Sequence, residues 1–181
     1  MSSIGQWKTH AVMVAKQLWY GSRGEPITLG GHTLRYLVGS RPVRLKYANG
    51  GDGVARNDAK QMQYFLDHVQ PGQFVLDVGA HRGQYAVLFA ALVGPHGHVI
   101  SFEPDVDARP LLLQNVALNS FQERVVVEDW ALFDVTESRD LFARHGNSQS
   151  SLARAGLGGS ADEQDVERYT VRTIRLDEYL C

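Results

Sequence analysis

The spacing of apolar residues changes several times along the chain, and each change marks an element. Ile4, Trp7, Ala11, Val14 and Leu18 recur at alternating spacings of three and four, which predicts an amphipathic helix ended by Gly21. The plainer expectation is that this helix lies on the domain. Trp7, Trp19, Lys8 and Lys16 would also suit attachment to a membrane surface or dimerisation. Between Pro26 and Tyr47 the period shortens: Ile27-Thr28-Leu29, then Gly30-Gly31, then runs over 33–38 and 43–47. A Gly-Gly pair between short β-rich runs predicts a hairpin, because both turn positions need positive φ. Arg35, Arg41, Arg44 and Lys46 within this element read as a solvated face. Beyond the loop Asn49-Gly50-Gly51-Asp52-Gly53, Met62, Phe65, Leu66 and Val69 predict an amphipathic helix capped at Asn57 or Asp58 and stopped at Pro71-Gly72.

From Gln73 onward strand and helix alternate. Strands are predicted over 74–78, 98–102 and 125–128, and helices over 84–93 and 107–119. Gly94-Pro95 closes the first helix, Pro110 sits harmlessly in the first turn of the second, and Asn119 suits its end. This order predicts an α/β fold: a Rossmann-like, doubly wound, mostly parallel sheet with right-handed crossovers, carrying an N-terminal helix and a small β-hairpin. Residues 143–164, rich in Gly, Ser and Ala, are expected to form a lid or a disordered segment. One more strand follows over 166–174, and a helix begins at Asp177. Residues 1–71 are read as elements packed on a core domain spanning 72–181.

An apolar share of 44% over 181 residues suffices for a real core and excludes a disordered chain. Eighteen Lys plus Arg against 20 Asp plus Glu leave a net charge of −2, so no basic field implies a nucleic-acid partner. The single cysteine, Cys181, forms no internal disulfide and fits a reducing compartment. Neither a signal peptide nor a run of about 18 apolar residues is present, so the expectation is a soluble, cytoplasmic protein with no membrane span.

The stretch Val75-Leu76-Asp77-Val78-Gly79-Ala80-His81-Arg82-Gly83-Gln84-Tyr85 carries most of the chemical information. A buried strand entering a Gly-rich turn and then a helix should present unpaired backbone N–H groups at the carboxyl edge of a parallel sheet, where such folds bind nucleotides. Small residues at 79, 80 and 83 would let a ligand approach the backbone. Glu103 ends the next strand, so its carboxylate can lie beside the turn and accept hydrogen bonds from a ribose diol. A dinucleotide fingerprint needs Gly-x-Gly-x-x-Gly, whereas here Gly79 and Gly83 stand without the middle glycine. Asp77, just ahead of the turn, would repel a pyrophosphate yet favour a cationic amino-acid group. That combination favours a nucleoside bearing an amino acid, the structure of S-adenosylmethionine. No Gly-Lys-Ser or Gly-Lys-Thr follows the turn to support NTP hydrolysis.

The sequence resembles the FkbM-type S-adenosylmethionine-dependent methyltransferases. The likeness runs through residues 76–85 and 97–105, Leu112-Leu113-Gln114-Asn115-Val116-Ala117-Leu118-Asn119, Ala131-Leu132-Phe133-Asp134, Ser150-Ser151-Leu152 and residues 171–178, in family order. The resemblance implies that Asp77, Gly79, Ala80, His81 and Gly83 line the methionine end of the cofactor and that Glu103 binds the ribose hydroxyls. By the same likeness Pro104 and Asp105 border the adenosine, with Asp129, Trp130 and Ala131 flanking the adenine. Read on their own, Trp130 suits an ordinary core aromatic, Asp105 a helix start, and Asn115 and Asn119 helix-surface or capping polarity. The family continues with a strand carrying a Lys-x-Asp-x-Glu-Gly-type segment and further strands. The sequence ends before these, which predicts a cofactor-binding half whose open sheet edge invites a homo-oligomer or a partner chain.

The activity implied is O-methylation of a small-molecule or sugar hydroxyl. His81, His145, Asp129 and Asp134 are candidates for a general base, and none is assigned. Two alternatives stay open: a non-catalytic S-adenosylmethionine-binding module, and an NAD-dependent oxidoreductase. No metal site is expected, since His96 and His98 flank a turn glycine without nearby carboxylates. Gly146-Asn147-Ser148 lacks the strand-to-helix elbow of a serine nucleophile.

Overall fold

The structure is a computed structural model and describes residues 17–38, 53–144, 150–153 and 166–181. Most of the N-terminal apolar seam lies outside these residues. Its end, 17–20, is helical and runs into a short turn at Gly21–Arg23. Strands β1 (Glu25–Leu29) and β2 (His32–Tyr36) then pair antiparallel across Gly30-Gly31, with φ of 52° and 83° at the two glycines. The register sets Pro26 opposite Arg35. Proline has no N–H to exchange, so this is a non-hydrogen-bonded pair, and the backbone groups of Arg35 turn to the outer edge. The expected run over 43–47, with Arg41, Arg44 and Lys46, lies outside the described residues.

Helix α1 (Gly53–His68) starts ahead of the predicted caps, so Asn57 and Asp58 stand inside it. The residues before them, Val54-Ala55-Arg56, are themselves helix-compatible, so the helix reaches back past the predicted caps to Gly53. Among the described residues no helix is long and apolar enough to cross a membrane.

The central sheet is parallel, in the order β3 (Phe74–Val78), β4 (His98–Phe102), β5 (Val125–Glu128). Helices α2 (Gln84–Val93) and α3 (Ala108–Leu118) are the crossovers. Right-handed connections in one direction put both helices on the same face. That face buries Asp77, Val99, Ser101 and Val125, while Phe74, Val78 and Val126 on the other face are exposed. The α/β class is therefore as predicted, with the winding in one direction present among the described residues. One apolar cluster joins α2 and α3 to the hairpin and α1 through Leu29, Leu34, Tyr36 and Met62.

A second sheet has the order β6 (Ala131–Leu132), β9 (Val166–Ile174), β7 (Ser138–Arg144), β8 (Ser150–Ser151). Strand β9 runs parallel to β6 and antiparallel to β7. The single loop expected over 143–164 is thus corrected at its start and in its middle, by β7 and β8. Strand β7 is defined by its pairing with the distant β9, and β8 by its pairing with β7, neither of which local composition reveals. A short helix, α4 (Leu176–Tyr179), follows.

Candidate functional site

The turn after β3 is shaped by its backbone. Gly79 and Gly83 have φ of 75° and 77°, and His81, a non-glycine residue, also takes a left-handed φ of 50°. The two glycines serve different ends. A Cβ on Gly83 would lie 2.4 Å from Leu112 Cδ1, so Gly83 permits close packing of the turn on α3. A Cβ on Gly79 would meet nothing within 4 Å, so that position opens into the cleft.

The expected supply of unpaired N–H groups is corrected at four positions. Gly79 and Ala80 both donate to the Phe102 carbonyl, at 3.0 and 3.1 Å, and Gly83 donates to the Ala80 carbonyl at 2.8 Å. The N–H of His81 donates to Glu103 Oε2 at 2.6 Å. The tight, non-helical path of the turn folds these donors back onto β4 and onto itself, which leaves no cradle of donors from these four residues for a phosphate.

Glu103 is 3% exposed and forms part of the cleft wall. Its second oxygen, Oε1, accepts the N–H of Asp105 at 2.8 Å. Burial raises its pKa, and the two backbone N–H donors oppose that shift. A carboxylate has about four lone-pair positions, so two are left for hydroxyl donors. Asp77 lies behind the turn, 7% exposed, with Oδ2 buried and without a hydrogen-bond partner. Burial first, and then the charge of Glu103, push its pKa up to about 7, against an opposing N–H from Ala86. Its neighbour in the register, Ser101, is fully buried, and its Oγ also lacks a partner. His81 is half-buried, and burial together with the adjacent Arg82 lowers its pKa.

A cavity of about 170 Å³ connects this turn to the second sheet. Of the predicted site residues it brings together Gly79, Glu103, Pro104 and Ala131. Ala80 is buried in the core cluster behind them. Asp105 instead caps α3: its Oδ1 accepts the N–H groups of Asp107 and Ala108 at 2.9 and 3.1 Å. Asp129 is exposed. Trp130 is half-buried, with the Arg172 guanidinium 4.4 Å above its ring and the Tyr179 ring edge-on at 6.1 Å.

The opposite wall comprises Leu141 of β7 and Ser150, Ser151 and Leu152. Sequence reasoning gave Leu141 no role, and it knew 150–152 only as part of a family likeness. The alternation of Leu141 and Ala143 along β7, both buried, is the local signal that could have identified an inward face.

Among solved structures, the chain is similar to a candidate rRNA-methylase from Clostridium thermocellum, at 19% identity and a TM-score of 0.38 over 41% of this chain and 48% of that one. It is also similar to a SAM-dependent O-methyltransferase from Thermotoga maritima, at 18% identity and a TM-score of 0.37 over 69% of this chain and 58% of that one. The chain thus spans about half the length of these proteins. Residues 77–181, from the buried aspartate of the turn to the end of the sequence, match the methyltransferase FkbM domain, and the chain belongs to that family.

Proposed function

We propose that the cleft binds S-adenosylmethionine and that the protein is a methyltransferase acting on a hydroxyl of a small-molecule or sugar acceptor. The observation that carries this reading is Glu103: a buried carboxylate on the cavity wall, fixed by two backbone N–H groups, with lone pairs left for the two hydroxyls of a ribose. The turn also fits such a cofactor better than a pyrophosphate. Asp77 faces the helices rather than the cavity, but the N–H groups of Gly79, Ala80, His81 and Gly83 are already engaged, so these four offer a pyrophosphate no donors. The same pattern weighs against the NAD-dependent alternative.

When bound, S-adenosylmethionine supplies an electrophilic methyl group on a sulfonium sulfur. Glu103 would hold its ribose, Gly79 would allow the ligand to approach the backbone, and Pro104 and Ala131 would bound the nucleoside. Among the described cavity-lining residues only Glu103 titrates, and the lone pairs its two backbone donors leave are those assigned to the ribose. Rate enhancement therefore rests on positioning the acceptor in line with the methyl group rather than on a strong base from these residues.

The test is calorimetric titration of the full chain with S-adenosylhomocysteine and with NAD. Binding of the homocysteine nucleoside, weakened at least tenfold in Glu103→Ala, supports the reading; binding of NAD alone overturns it. Transfer of labelled methyl to a panel of hydroxyl acceptors then separates an enzyme from a binding module.

A further inference from the structure

We infer that the N-terminal hairpin braces the cofactor turn, with Asn115 and Tyr36 as the positioning residues. The affinity consequence rests on the function proposed above; the brace itself does not. Its origin is the register of the hairpin. Because Arg35 stands in a non-hydrogen-bonded pair, a position that tolerates Pro26 opposite it, its backbone groups point outward, and no strand among the described residues partners this edge of β2. Asn115 of α3 and Asn119, the residue that caps its C-terminal end, do so instead. Asn119 Oδ1 accepts the Arg35 N–H at 2.8 Å, and Asn119 Nδ2 donates to the Arg35 carbonyl at 2.7 Å, as an adjoining strand would. Asn115 Oδ1 accepts the next outward N–H, that of Leu37, at 2.7 Å.

Asn115 has a second function. It is fully buried, contrary to the helix-surface position expected from its polarity, and its Nδ2 donates to the Arg82 carbonyl at 2.7 Å. One amide therefore bonds the hairpin with one end and the cofactor turn with the other. Tyr36, also fully buried, donates its hydroxyl proton to the Gln84 carbonyl at 3.0 Å. The two carbonyls flank Gly83, the residue whose left-handed φ and contact with Leu112 fix the turn against α3. Loss of the Asn115 bond strips the Arg82 carbonyl of its side-chain donor, and loss of the Tyr36 bond removes the second donor on the Gln84 carbonyl at the start of α2, so both changes fall on the turn itself. The hairpin thus fixes the turn from outside while Glu103 fixes it from inside, through the N–H of His81.

The experiment uses the full chain and two variants. Tyr36→Phe deletes one hydrogen bond and keeps the ring; Asn115→Asp keeps the acceptor for Leu37 and removes the donor to Arg82. Amide hydrogen exchange is followed without ligand at His81, Gly83 and Val87, whose N–H groups are all bonded within or beside the turn. The expected result is exchange accelerated about tenfold or more at these three amides, with Val99 and Phe102 of β4 unchanged. S-adenosylhomocysteine affinity should fall severalfold in Tyr36→Phe and further in Asn115→Asp. Unchanged exchange at the turn, or equal acceleration in β4, overturns the brace. If the unaltered chain binds no S-adenosylhomocysteine, the proposed function fails, while the exchange data still decide the brace. Should Asn115→Asp not fold, exchange in Tyr36→Phe alone decides it.

Discussion

The turn wall of the cleft and the wall formed by β7 and β8, which β9 backs, face the same cavity but are held by different forces. On the turn side, buried polar side chains hold the backbone through hydrogen bonds: Glu103 accepts from His81 and Asp105, and Asn115 and Tyr36 donate to the carbonyls of Arg82 and Gln84, while Gly79 and Ala80 bond Phe102. On the opposite side a strand ladder carries exposed charged pairs, such as Arg168 with Asp140 and Arg139 with Glu137, and a guanidinium over Phe133. Buried hydrogen bonds in low dielectric are costly to break, and solvated ion pairs are not. Substitutions in the turn wall should therefore move stability and ligand affinity strongly, and charge substitutions in the opposite wall should move both weakly.

The largest effect is expected at the two turn glycines, and it should differ in kind between them. Gly83→Val combines a left-handed φ, which costs roughly 1–2 kcal/mol, with overpacking against Leu112, which costs about 1–3 kcal/mol, so urea denaturation should show several kcal/mol lost or no folded protein. Gly79→Ala carries only the backbone cost, since its methyl group enters open space, and should remain folded while S-adenosylhomocysteine affinity drops. Equal stability loss in the two variants would remove the distinction between a packing glycine and a cleft glycine.

Next comes Asp77, through pH. Its pKa is about 7 in the folded chain, against about 3.9 in the unfolded one. The folded state therefore binds more protons between these values, and this group's contribution to stability falls as pH rises from about 4 to about 7. Three pH units correspond to roughly 4 kcal/mol at most. Asp77→Asn cannot ionise, so its stability relative to the unaltered chain should be greater at pH 8 than at pH 5, as read from denaturant midpoints. A difference of the opposite sign would mean that the carboxylate is paired in the fold and that the turn wall does not store an unneutralised charge.

Legibility in the sequence divides along the same line. Predicted and observed limits coincide for 74–78, 84–93, 98–102, 125–128 and 166–174, because each run is closed by its own glycine, proline or polar break. Glu103 was locatable because strand end and turn are adjacent in any parallel crossover. The N–H inventory of the turn was not: it depends on φ at Gly79 and His81, which sends two donors to one carbonyl. Asn115 was equally hidden, since nothing local tells a helix-surface asparagine from one that lies under a hairpin edge. The wall of β7 and β8 depends on the register of β7 with β9, which only tertiary pairing selects, and on the pairing of β8 with β7.

The smallest effect is expected at Arg168, and it tests the weaker wall directly. Its guanidinium is 2.8 Å from Asp140, but the two side chains are 67% and 37% exposed. Solvent screens such a pair, and ordering two long side chains offsets much of the attraction, so Arg168→Ala should lose about 0.5 kcal/mol or less. For a chain of this size that is a melting shift of about 1–2 °C, and 1 M salt should abolish it, because the screening length then falls to about 3 Å. S-adenosylhomocysteine affinity should not change, since the ladder of β7 with β9 holds Leu141 at the cavity through backbone pairing. A loss of about 2 kcal/mol or more, well above the range of exposed pairs and persisting in salt, would mean that this wall too depends on a fixed polar contact, and the contrast between the two walls would fall.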